Sequence, residues 1–194
     1  MGNIAEETRW LDATAQAALI RNKEVTAGEL AEAAISRIDQ LNTLVNAVNI
    51  PWFAHGRELA KHIDATSPNT AFAGVPFLLK DLHTMYEGQH ISQGNKALKE
   101  ANYIATSDTT LVARFKKQHL VFLGRTSSPE FGSLPVTEPE AWALHATHGT
   151  PTSLPVVLVA VLQQLLPQEW FLLHMPAMVA VLFVFLLLVL VLLV

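Results

Sequence analysis

With 194 residues, 13 Lys and Arg against 17 Asp and Glu, and a formal net charge of −4, the chain has the length of one domain and lacks the basic excess expected of a nucleic-acid binder. It contains no cysteine, which excludes a disulfide framework and thiolate chemistry. Early acids (Glu6, Glu7) and the lack of an apolar stretch at the N-terminus argue against a secretory signal there. These averages conceal a break. Up to Trp142 the charges are mixed; beyond it there is no Lys or Arg, Glu169 is the only acid, and every residue from Ala177 to Val194 is apolar. So abrupt a shift divides the chain into residues 1–142 and a tail, 143–194.

In the first part, Thr26 and Glu29 have the spacing of a capping box, and Leu30, Ala34, Ile38 and Leu41 follow at helical intervals, which predicts an amphipathic helix from Ala27 to Leu41. Val45 to Ile50 reads as a short strand, and Pro51 suits the first position of the next helix, which carries Glu58, Leu59 and His62. Ser67, Pro68 and Asn69 mark a turn. Val75 to Leu79 is an apolar run ending in Lys80 and Asp81, as a buried strand would be. Ser107 or Asp108 is expected to cap a helix that turns Leu111, Val112 and Phe115 inward and Lys116 and Lys117 outward. Leu120 to Leu123 reads as a strand, followed by a loop from Gly124 to Pro129. Strands alternating with helices imply an α/β architecture. There is no internal repeat.

The segment Gly74-Val75-Pro76-Phe77-Leu78-Leu79-Lys80-Asp81 resembles the lysine motif of the amidase signature family. Thr14 to Val48 is similar to that family's opening helix and strand, and Ser107 to Glu138 to its stretch that contains a Gly-Arg-Thr motif. The resemblance runs from about residue 10 to residue 142, and its specificity lies in the order and spacing of the pieces. It implies part of the amidase-signature fold, a mixed sheet flanked by helices, and cleavage of amide bonds by a Ser-cisSer-Lys triad. On this resemblance Lys80 is the triad lysine. It acts as a base through a bridging serine, which requires a neutral amine and therefore burial that lowers its pKa. Asp81 is expected to be structural, through a salt bridge or a backbone hydrogen bond. Thr126, Ser127 and Ser128 resemble a substrate-side segment. Read without the family, Lys80 is a strand-end charge in solvent. A triad of side chains needs no metal or organic cofactor, and the implied partner is a small-molecule amide met in the cytoplasm.

The family's two serines lie in glycine-rich motifs downstream of the lysine, where this chain has runs of Val and Leu. The genetic code relates the two. If one nucleotide is deleted, the first two bases of each visible codon are the last two of a parent codon: Val (GTN) then reports a codon compatible with Gly, and Leu (CTN) one compatible with Ser, Pro or Ala. With free choice of wobble bases and one G restored after Trp142, Ala143 to Thr150 reads GPTRNPWN, Val156 to Val161 reads GGSSGG, and Met178 to Leu187 reads DGGGSIRIPA. Trp170 and Met175 have a single codon each and force a valine and an alanine at the following parent positions. On this reading the bridging serine's place is held by Leu158 and the nucleophile's by Leu182, so the chain as written is expected to be catalytically inactive, and its stop is expected to follow from the shifted frame.

A different reading makes the tail a membrane anchor on an interaction protein. As a helix, Ala177 to Val194 would span about 27 Å at ~1.5 Å per residue, against a hydrocarbon core of ~30 Å. No Lys or Arg flanks it as an interfacial anchor, which favours an apolar tail, helical or disordered, whose membrane association is an artefact of the frame. His145 and His148 have an HxxH spacing but no carboxylate cluster nearby, so no metal site is expected. His83 and His90, flanking Tyr86 and Glu87, are expected to be solvated loop residues. Leu186 to Val194 is uncharged, rich in β-formers and free of proline, an aggregation signature. Size-exclusion chromatography in detergent-free buffer is therefore expected to place the 194-residue chain in the void volume; a single monomeric peak would contradict this.

Overall fold

A computed structural model describes residues 4–133, 137 and 139–142. In chain order the elements are α1 (Ile4–Glu7), α2 (Ala13–Arg21), α3 (Ala27–Val45), β1 (Val48–Pro51), α4 (Phe53–Thr66), β2 (Pro76–Lys80), α5 (Lys96–Glu100), α6 (Thr110–Lys117) and β3 (Val121–Thr126), with a 3-10 turn at Glu130–Gly132. The expected capping box is present: the Thr26 hydroxyl accepts from the Glu29 amide at 3.1 Å, and the Glu29 carboxylate accepts from the Thr26 amide at 2.8 Å. Asp64, from α4, accepts from the Ala27 and Gly28 amides at 2.8 and 3.0 Å. The free amides of the α3 N-terminus are thus met from two directions, and the second ties α3 to α4.

The strands form one mixed sheet in the order β1-β3-β2, with β1 antiparallel and β2 parallel to β3. One buried cluster joins Ala27, Ala31, Ile35 and Ile38 of α3 to Ala60 and Ile63 of α4 and to Leu78, Val121 and Leu123 of the sheet. Leu79 and Phe122 belong instead to a second cluster with Trp52, Val75, Tyr86 and Val112. Neighbouring strand residues enter different clusters because side chains alternate across a sheet. The expected mixed sheet flanked by helices is the fold observed.

Two glycines permit the close packing around β3. A Cβ on Gly56 would lie 2.5 Å from Leu123 Cδ2, so only glycine lets α4 sit this close to the strand. Gly124 has φ +149°, and a Cβ there would lie 2.5 Å from the Ile50 carbonyl oxygen and 3.0 Å from Pro51 Cα.

Element boundaries differ from the sequence expectations for local reasons. Helix α3 continues to Val45 and stops at Asn46, which is left-handed (φ 48°), so the strand expected from Val45 begins at Val48. Pro51 ends β1 rather than opening a helix: the next amide, of Trp52, donates to the Leu123 carbonyl at 2.8 Å, and α4 begins at Phe53. Neither Ser107 nor Asp108 caps α6. Its N-cap is Thr109, while the Asp108 carboxylate accepts from the Glu87 amide at 2.8 Å and pairs with Lys116 at 2.6 Å. Leu111 faces outward, 49% exposed, and Lys116 is drawn in over the Tyr86 ring, 3.6 Å from its centroid. The expected loop from Gly124 does not begin there, because Gly124, Arg125 and Thr126 continue β3. Among the described residues no helix is long and apolar enough to cross a membrane. The tail, including Leu158, Leu182, His145 and His148, lies outside the described residues.

Gly124→Ala is expected to destabilise the fold by about 2–4 kcal/mol, since the new methyl meets backbone at a backbone angle that L side chains rarely adopt. A urea denaturation curve checks this; an unchanged midpoint would show that β1 and β3 can separate at no cost.

Candidate active site

Lys80 is the last residue of β2 and pairs with Thr126 of β3. The pairing continues one step further, with the Asp81 amide donating to the Thr126 carbonyl at 3.0 Å. The Lys80 side chain is half-buried, and its ammonium has no hydrogen-bond or ion-pair partner among the described residues. Burial with no compensating charge lowers its pKa to about 8 from an ordinary lysine's 10.5. An appreciable fraction of the amine is therefore neutral near neutral pH, as a proton acceptor requires. No hydroxyl among the described residues is bonded to it.

The backbone around Lys80 is held firmly. Its carbonyl accepts from the Thr84 hydroxyl at 2.5 Å and from Arg125 Nη1 at 3.3 Å. Arg125 Nη1 also donates to Thr84 Oγ1 at 2.9 Å, and its Nε donates to the His90 carbonyl at 2.6 Å. The guanidinium is fully buried and lies 4.8 Å from the centre of the Trp52 ring. Burial lowers its pKa to about 10, against the opposing field of Asp81, so Arg125 remains charged at neutral pH.

Asp81 is completely buried, and its carboxylate accepts from the Ser92 amide at 2.9 Å, the Ser92 hydroxyl at 2.5 Å and the Gly94 amide at 3.2 Å. The structural role expected of Asp81 takes the form of backbone hydrogen bonds. The Ser92 hydroxyl in turn accepts from Trp142 Nε1 at 3.0 Å. Lys99 lies 3.8 Å from the Trp142 ring centre and donates to the Ala141 carbonyl at 2.6 Å. The residue at which composition changes is thus docked beside the lysine loop.

Thr126, Ser127 and Ser128 are buried. The Ser127 hydroxyl accepts from Asn49 Nδ2 at 2.7 Å and donates to the Asn46 carbonyl at 3.2 Å, and the Ser128 hydroxyl donates to the Pro129 carbonyl at 3.0 Å. Both are engaged by the fold itself. Thr126 Oγ1, on the residue paired with Lys80, has no partner among the described residues. His83 is exposed. Tyr86, read as a loop residue, is in the core, where its hydroxyl lies 2.9 Å from His55 Nε2 and burial, with Asp108 nearby, pushes its pKa up to about 12. Sequence reasoning missed Arg125, whose partners lie 35 to 45 residues away, and Thr84 and Ser92, whose short-range bonds to Lys80 and Asp81 sit in a loop with no periodic pattern.

The family model described as Amidase matches residues 29–153. The chain belongs to the amidase family. It is 43% identical over 133 residues to a 6-aminohexanoate-cyclic-dimer hydrolase of Paenarthrobacter ureafaciens, an alignment covering 69% of this chain and 26% of that protein. An acylamidase of Rhodococcus erythropolis is 33% identical over 66% of this chain and 27% of its own length. A solved structure of 6-aminohexanoate cyclic dimer hydrolase superimposes with a TM-score of 0.66 at 40% identity, over 71% of this chain and 28% of that one. A bacterial aryl acylamidase of the amidase signature family gives a TM-score of 0.68 at 27% identity, over 73% and 30% of the two chains. The chain therefore spans about a quarter of the length of the curated relatives it matches.

The depressed pKa of Lys80 has a consequence for stability. Below about pH 8 the folded state carries a buried ammonium at a cost. Between about 8 and 10.5 the unfolded chain binds a proton that the folded chain does not, so stability rises with pH, and above 10.5 the cost is gone. Lys80→Met is thus expected to raise the thermal midpoint at pH 7, by an amount that shrinks across this window. A midpoint difference independent of pH would contradict this assignment.

Proposed function

We propose that the gene specifies a hydrolase of carbon–nitrogen (amide) bonds working by the Ser-cisSer-Lys route, with Lys80 as the base, and that the 194-residue chain is itself inactive because both serines are missing. The observation that carries this reading is the Lys80 amine: half-buried at the end of β2, without a partner among the described residues, its pKa brought down to about 8 by burial alone. In the parent frame a serine at the place of Leu182 attacks the amide carbonyl. Its proton passes through the bridging serine, at the place of Leu158, to the Lys80 amine. The collapsing intermediate expels the amine product, which takes up a proton, and leaves an acyl-enzyme that water hydrolyses to the carboxylic acid. Glycines restored around the serines would present backbone amides to the oxyanion. Leucine offers neither a nucleophile nor a proton relay.

The substrate is a small-molecule amide. Two relatives at 43% and 42% identity carry the name 6-aminohexanoate-cyclic-dimer hydrolase, which makes a cyclic diamide of an ω-amino acid the first compound to test. Thr126 is the member of the Thr126–Ser128 segment best suited to a substrate-side role, since its hydroxyl is the one left without a partner among the described residues. The tail, 143–194, is read as out of frame rather than as a domain; the family match runs past Trp142 to residue 153, so the point of the shift is to be fixed on the DNA.

Resequencing the gene from the Trp142 codon past the Val194 codon is expected to reveal one additional G. Product from the corrected gene is expected to hydrolyse the cyclic diamide, with Lys80→Ala lowering the rate by about 10²–10⁴-fold. The 194-residue chain is expected to match its own Lys80→Ala variant at background. Amide hydrolysis by this chain above that variant would overturn the proposed inactivity.

A further inference from the structure

The unusual cost near Lys80 is the burial of Arg125. A guanidinium with no exposed surface loses its hydration, and surrounding groups must replace it. No carboxylate lies within ion-pair distance among the described residues; the acceptors are the Lys80 carbonyl, the His90 carbonyl and the Thr84 hydroxyl. All three belong to β2 or the segment that follows it, and Thr84 itself donates to the Lys80 carbonyl. The planar fork of donors thus joins strand β3 to the end of β2 and to the chain ten residues beyond (80 to 90). Lysine, with a point charge on a flexible stem, cannot reproduce this set of bonds.

We infer that Arg125 is a positioning residue for Lys80: its buried guanidinium, acting with Thr84, pins the Lys80 carbonyl and the following loop, and so holds the Lys80 amine in its water-poor setting at the end of β2. The inference rests on the reading of Lys80 as a neutral-amine base. On this inference, if the clamp opens, the Lys80 backbone and the loop that follows it shift, water reaches the amine, and it behaves as an ordinary lysine. Arg125 touches no reacting atom in this scheme. Its effect passes through the backbone of Lys80, so a charge-conserving change at Arg125 should disturb the amine almost as much as a charge-removing one.

The test is the pH profile of Lys80 acylation by a small anhydride, read peptide by peptide by mass spectrometry in the full 194-residue chain, held in solution by mild detergent. Lys61, 71% exposed, serves as the internal reference. In the unsubstituted chain Lys80 is expected to titrate near 8. Arg125→Lys and Arg125→Met are each expected to raise the Lys80 value by about one unit, a tenfold fall in its acylation at pH 7 relative to Lys61. Thr84→Val, which removes one hydroxyl and no charge, is expected to give a smaller rise of the same sign. If the Arg125 variants lose their near-ultraviolet circular dichroism, Thr84→Val decides: a rise supports the clamp and an unchanged value overturns it. Folded Arg125 variants with an unmoved Lys80 value also overturn it. A Lys80 that titrates at an ordinary lysine's 10.5 in the unsubstituted chain would instead remove the base assignment itself, a different failure from that of the clamp.

Discussion

Strand β3 pairs antiparallel with β1 and parallel with β2, and each of its six residues is buried. The rest of the described structure depends on that double pairing. Without β3, β1 and β2 are separate short strands, and α3 and α4 have no sheet to cover. Through the register Lys80↔Thr126 the same pairing sets where the lysine leaves the sheet. It also imposes the local constraints: glycine at 124, where β1 crosses closest, and glycine at 56, where α4 lies on Leu123.

A fully buried strand that contains Gly, Arg and Thr must satisfy polar groups away from water. Arg125 does so for Nε and Nη1 with acceptors from β2 and its loop, while Nη2 and the Thr126 hydroxyl have no partner among the described residues. Asp81, at the far end of the same pairing, does so with Ser92 and Gly94. The two residues carry opposite charges but are held by different parts of the loop after β2, so that loop is anchored at both its beginning and its end. The lysine between these anchors keeps an amine with no partner among the described residues, and that contrast is what burial converts into a lowered pKa.

The shifted frame would begin after Trp142, and the described fold ends there. Wobble-level compatibility concerns residues 143–194, while the geometry concerns residues up to Trp142. They meet at Trp142, whose indole donates to Ser92 and so to the Asp81 network. In the parent reading, the chain that leaves Trp142 is the one that goes on to carry the serines. Its point of departure is therefore tied, through two side chains, to the residue next to the lysine.

By itself the sequence determined the features that depend on neighbours along the chain. The Thr26–Glu29 cap, the apolar stripe of α3, the run that becomes β2 and the family motif around Lys80 are all short-range patterns, and each is found in the fold. The alternation of strands and helices likewise announced an α/β architecture, and the resemblance to the amidase signature family a mixed sheet. Tertiary structure alone decided the rest. The Gly-Arg-Thr stretch reads as a loop because strands are recognised by apolar content, and it is a strand because it pairs with both β1 and β2, which lie far away along the chain. Leu111 reads as buried from helical spacing, yet about half of it stays exposed. Lys116 reads as solvated, yet Asp108 and Tyr86 draw it inward. Lys80 could be singled out from its motif, but the burial that lowers its pKa comes from the packing around it, and a sequence carries no record of which surfaces will exclude water.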